Sequence, residues 1–142
     1  MNTSIQNTTL PTDEEKLHVA STFLNAVKGN DWATLQTILA PDATWTLPGT
    51  SVLSGLAASA EAIVKRAQGL KNFGVNFQLQ HILYGLHGFT LSLHNTAKRE
   101  DLLLDEQVAI VCQVTEGKIT SMATYLSDVA GINEFFIPGI ID

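Results

Sequence analysis

At 142 residues, with a formal net charge of -6 and only 8 Lys+Arg, the chain carries no basic run able to neutralise phosphates, which argues against a nucleic-acid partner. The length fits one domain that buries about two thirds of its unfolded surface, and 45% apolar against 15% charged residues points to a ligand cavity or an oligomer interface. Cys112 is the single cysteine, so neither an intrachain disulfide nor a thiolate metal site can be built.

The first sixteen residues are polar and acidic, without the basic start and apolar middle of a signal peptide, and no apolar run approaches the ~20 residues of a membrane span. A cytoplasmic protein without a membrane partner is expected. Met1 to Leu10 shows no periodicity, and residues 1–12 are expected to be frayed. Thr12 and Glu15 form a capping box that starts a helix over 13–28, with Leu17, Ala20, Phe23, Leu24 and Val27 on its apolar side and Gly29 at its end. Asn30 or Asp31 caps a second, shorter helix carrying Trp32, Leu35, Ile38 and Leu39, which Pro41 stops.

Asp42 to Leu47 is β-like around Trp45, and Pro48-Gly49 breaks it. Ser54-Gly55 then opens a third helix, in which Leu56, Ala60, Ile63, Ala67 and Leu70 keep a helical rhythm up to Gly69 and Gly74. From Val75 the period becomes two. Val75, Phe77, Leu79, His81 and Leu83 share one face of a strand, and Phe89, Leu91, Leu93 and Asn95 share one face of the next. Lys98 to Asp101 is a charged turn. Leu102 to Asp128 reads as two long strands joined at Glu116-Gly117-Lys118, with Val108, Ile110, Cys112 and Val114 on one face. A short helical turn and an apolar tail over 137–142 close the chain, the tail docking on the body or on a second subunit. Helices segregated against one antiparallel sheet make an α+β domain over 13–136.

Four stretches resemble the nuclear-transport-factor-2-like (NTF2-like) superfamily, in its SnoaL-like, polyketide-cyclase-like and ketosteroid-isomerase-like branch. They are Val27-Lys-Gly-Asn-Asp31, Pro41-Asp-Ala-Thr-Trp45 with Pro48-Gly49, Ser54-Gly55, and Gly117-Lys118-Ile119 leading to Tyr125. The resemblance implies a cone-shaped, cystatin-like fold: three N-terminal helices on a strongly curved antiparallel sheet that encloses an apolar cavity, with dimers formed through the sheet. It also implies a negative. Where ketosteroid isomerases hold a tyrosine, a base aspartate and a protonated aspartate, this chain has Phe23, Leu47 and Ile110, which argues against that chemistry.

From those positions, strand parity assigns an inner face. Phe23, Trp45, Leu47, Asn95, Ile110, Cys112, Met122, Thr124 and Leu126 are the expected pocket residues, with His81 and Asp128 as the candidate acid–base pair and Glu106 near the rim. The resemblance places an acidic group at the end of the last strand, commonly two residues after the aromatic, where this chain has Ser127. Asp128 comes three after Tyr125, which turns it to the other face, and it fits better as the cap of the helix at Val129. His81 reads either as half of a dyad or as a hydrogen-bonded core residue. No paired histidines or clustered carboxylates suggest a metal, and no motif asks for a cofactor. Two functions stay open: a cofactor-free proton-transfer enzyme of the cyclase, isomerase or dehydratase type acting on a small apolar molecule, or a non-catalytic ligand-binding or dimerisation module.

Overall fold

The computed structural model describes residues 10 to 138, so the frayed segment expected over 1–12 and the tail over 137–142 fall largely outside the described residues. Helix α1 spans Asp13–Lys28, with Thr12 Oγ1 accepting from the Glu15 amide at 3.0 Å as the capping box requires. Its buried side, Val19, Ala20, Phe23, Leu24 and Val27, faces the sheet. Asp31 caps α2, Trp32–Thr37, by accepting from the Thr34 amide. This helix is shorter than the sequence predicts. Leu39 already belongs to strand β1, Leu39–Leu47, and Pro41 lies inside that strand instead of stopping a helix. The sixth strand draws the chain out, since the Ile119 amide donates to the Ile38 carbonyl at 2.8 Å and Leu39 pairs with Ile119. The ladder is irregular between Leu39 and Thr44, which accommodates a proline that has no N–H to give.

Gly55–Ala57 forms a short strand, β2, on the edge of β1, so Leu56 sits on a strand with its side chain exposed and not in the third helix. That helix, α3, begins later, at Ala60–Asn72, where Ser59 Oγ accepts from the Ala62 amide at 3.0 Å. Gly69 lies inside it and does not end it, and its missing Cβ leaves room for the Leu53 side chain, which would stand 2.8 Å away. The remaining elements are β3 (Asn76–Tyr84), β4 (Gly88–Arg99), β5 (Leu102–Thr115), β6 (Lys118–Leu126) and α4 (Val129–Phe135). The β5–β6 turn is Glu116-Gly117 with φ of 53° and 77°, the left-handed pair that a two-residue hairpin needs.

The strands form one sheet in the order β2-β1-β6-β5-β4-β3. Its pairs are antiparallel except β1 with β6, which run parallel. Burial alternates strictly along β5 from Leu104 to Val114, so one face of the sheet is core. Helices α1, α3 and α4 pack on the strands from that side. Phe135 and Phe136 dock against Phe73, the Phe73 and Phe136 rings 5.0 Å apart, which closes one end of the core. Among the described residues, no helix is long and apolar enough to cross a membrane.

Candidate functional site

Between the helices and the concave side of the sheet lies a cavity with about 690 Å³ of empty space, open mouth included. Seven of the nine expected pocket residues line it: Phe23, Trp45, Leu47, Asn95, Ile110, Thr124 and Leu126. Cys112 and Met122 do not. They share the inner face but lie further along it, fully buried in the core, where desolvation pushes the Cys112 thiol far above its usual range.

The wall is apolar except at Lys28, Asn95, Glu106, Thr124 and the Trp45 indole. Trp45 Nε1 donates to Thr124 Oγ1 at 2.6 Å, so the threonine hydroxyl keeps its own proton free to donate. The Arg66 guanidinium, itself buried, donates to the Trp45 carbonyl at 2.6 Å and the Gly55 carbonyl at 3.0 Å and lies 5.3 Å over the indole ring, which holds β1 and β2 to α3.

Glu106 is the residue that sequence reasoning misplaced. It is 2% exposed and belongs to the cavity wall, not the rim. The signal was present: Glu106 has the parity of Val108 and Ile110, and a charged residue on that face is buried by the alternation itself. Its Oε1 accepts from the Asp128 amide at 3.0 Å and from Ser127 Oγ at 3.4 Å. Burial raises its pKa above the ordinary 4.5, and the Asp128 and Asp105 charges push the same way against the two hydrogen bonds. Directly across the ladder stands Asn95, 8% exposed, whose Oδ1 is buried without a hydrogen-bond partner.

The expected His81–Asp128 pair is not assembled. The β3–β4 register shifts between Leu79 and His81, so His81 pairs with Ser92 and turns outward, exposed, while Ile82 takes the inner position opposite Leu91. Two strands, β5 and β4, separate β6 from β3, roughly 14 Å of sheet. Asp128 is the N-cap of α4: its Oδ1 accepts from the Gly131 amide at 3.1 Å and the residue is exposed. It is nevertheless a neighbour of the cavity acid. A Cβ at Gly131 would stand 2.8 Å from Glu106 Oε2 and 2.9 Å from Asp128 Oδ2, so both carboxylates crowd the same point at the start of α4. Among the described residues, no group of three or more His, Cys, Asp or Glu is placed to hold a metal ion.

No protein-family model and no curated protein matches the sequence. Solved structures do. The chain is similar to Bal32a, from a soil-derived mobile gene cassette, at TM-score 0.80 and 24% identity, covering 87% of this chain and 97% of that one. An NTF2-like protein of Burkholderia xenovorans matches at TM-score 0.74 and 18% identity over 88% and 98% of the two chains. An LEH-like epoxide hydrolase of M. tuberculosis matches at TM-score 0.66 and 18% identity over 87% and 90%. The fold is NTF2-like, as the sequence resemblance implied.

Proposed function

We propose that this NTF2-like domain binds a small, mostly apolar molecule in its cavity and that Glu106, not His81 or Asp128, exchanges a proton with it without a cofactor. The observation that carries the reading is the juxtaposition of one buried carboxyl with an unpartnered Asn95 amide oxygen in an otherwise apolar wall. Polar groups buried at a cost in a cavity wall are candidates for meeting a ligand's polar atoms. For a ligand with a carbonyl, the ionised Glu106 takes a proton from the adjacent carbon. The C–H electron pair moves onto the carbonyl oxygen, and the Thr124 hydroxyl is a free donor on the same wall to stabilise it. Return of the proton to another carbon completes an isomerisation, and loss of a leaving group completes an elimination. The apolar Phe23, Leu47 and Ile110 in the wall leave no second carboxyl or phenol at those places, so Glu106 is the acid–base group of this chemistry.

A screen of small ketones by NMR tests the reading. Bound ketones are expected to shift the methyl signals of Leu93, Val108 and Ile110, and to incorporate solvent deuterium in the parent protein but not in Glu106→Gln. Binding without exchange in the parent leaves a non-catalytic ligand-binding module, and no binding removes the reading altogether.

We also propose a homodimer through the outer face of β5 and β6, where Val111 and Tyr125 are exposed at 40% and 63%. Light scattering on the parent and on Tyr125→Lys checks it: a dimer that becomes a monomer supports it, and a parent monomer ends it.

A further inference from the structure

Lys28, the last residue of α1, is the single exposed residue among those lining the cavity, so it marks the opening. The Lys71 ammonium donates to the Lys28 carbonyl at 3.2 Å, which brings a second positive charge to the same rim. Neither lysine takes part in the ion pairs recorded among the described residues, which are Lys16 with Asp13 and His94 with Asp105. Both lie at the C-terminal ends of helices, where a cation is favoured in any case, and that accounts for a lysine at each position. It does not account for Lys28 forming part of the cavity wall. In a chain of net charge -6, the one exposed residue of the lining is thus a cation with a second cation beside it, while the rest of the wall is polar only at Asn95, Glu106, Thr124 and the Trp45 indole.

Resting on the cavity reading above, we propose that the ligand is a small monocarboxylate with an apolar body, its carboxylate held at the mouth by Lys28 and Lys71 and its body inside. An ammonium on a flexible stem suits a carboxylate as a point charge, and a neutral ligand of the same shape gains nothing from it. An amine is repelled.

Two matched pairs of probes test this on the intact protein by calorimetry: octanoate against octan-1-ol, and 4-phenylbutyrate against 4-phenylbutan-1-ol. Each carboxylate is expected to bind about tenfold tighter than its alcohol, a difference of about 1.4 kcal/mol, and to lose most of that margin as salt screens the mouth. Lys28→Gln is expected to cut the margin to about threefold or less and to leave the alcohols unchanged, with Lys28→Arg restoring it. Alcohols that bind as tightly as their carboxylates, or a margin indifferent to Lys28→Gln, overturn the assignment of the mouth and leave the cavity reading intact. If none of the four probes binds, both fail.

Discussion

Asn95 and Glu106 are register partners on neighbouring strands, and both side chains are more than nine-tenths buried in the wall of one cavity. Among the described residues, the Glu106 carboxyl has donors on one oxygen only, and the Asn95 Oδ1 has none. Such an arrangement costs stability in the empty protein. Its consequences can be measured.

Glu106 makes the domain less stable as pH rises. Its carboxyl is harder to ionise in the folded state than in the unfolded one, so the native protein holds the proton more tightly. The penalty is absent below the unfolded value near 4.5, grows as pH climbs from there through the raised folded value, and is constant above it. Denaturation of the parent and Glu106→Gln across this range is expected to show the variant gaining relative stability as pH rises. A difference that is flat with pH removes the buried charge from the account.

Asp128 is expected to behave as a cap. Asp128→Asn keeps the side-chain acceptor for the Gly131 amide and is expected to lose less than about 0.5 kcal/mol, whereas Asp128→Ala loses about 1 kcal/mol. Both are expected to lower the Glu106 pKa, because the neighbouring negative charge goes while the Asp128 amide remains as donor. Urea denaturation together with carboxyl NMR checks the two effects separately.

Gly131→Ala reverses a usual rule. Replacing a helical glycine by alanine ordinarily gains about 1 kcal/mol. Here the new methyl would meet Glu106 Oε2 at 2.8 Å and Asp128 Oδ2 at 2.9 Å, and one of these is fixed by burial and the other by its capping bond. A net loss of about 1 kcal/mol is expected by urea denaturation, together with a displaced Glu106 titration. A gain would show that the start of α4 is looser than described.

Arg66→Met is expected to cost about 2 kcal/mol by the same measurement, since the buried Trp45 carbonyl and the more exposed Gly55 carbonyl lose the guanidinium donor at once. Loss of less than about 1 kcal/mol would mean that water replaces the guanidinium and that β2 is not held by it.

What the sequence revealed and what it hid divide along a physical line. Local rules held where local chemistry decides. Thr12 capped α1, the alternation from Leu104 to Val114 gave β5, and Glu116-Gly117 closed the hairpin. The errors sit where a partner strand overrides the local signal. Leu39 and Pro41 follow β6 into a parallel ladder, Leu56 is drawn to the edge of β1, and the shifted register beside Gln80 turns His81 out of the face that parity alone had given it. A bulge needs a partner to be defined, so one chain read alone does not display it. Parity did predict Glu106 inside, and the habit of placing a carboxylate at the rim hid it. Six of the expected pocket residues, all but Phe23 on α1, line the cavity because β1, β4, β5 and β6 carry no such shift between the residues concerned.

The most direct test is the carboxyl ¹³C titration of Glu106, in the empty protein and with the cavity occupied by octanoate. A midpoint above the ordinary 4.5 is expected in the empty protein, moving when the ligand enters and falling in Asp128→Asn. A midpoint at or below 4.5, unmoved by ligand, would place Glu106 in contact with solvent and take the proton-transfer group out of the cavity.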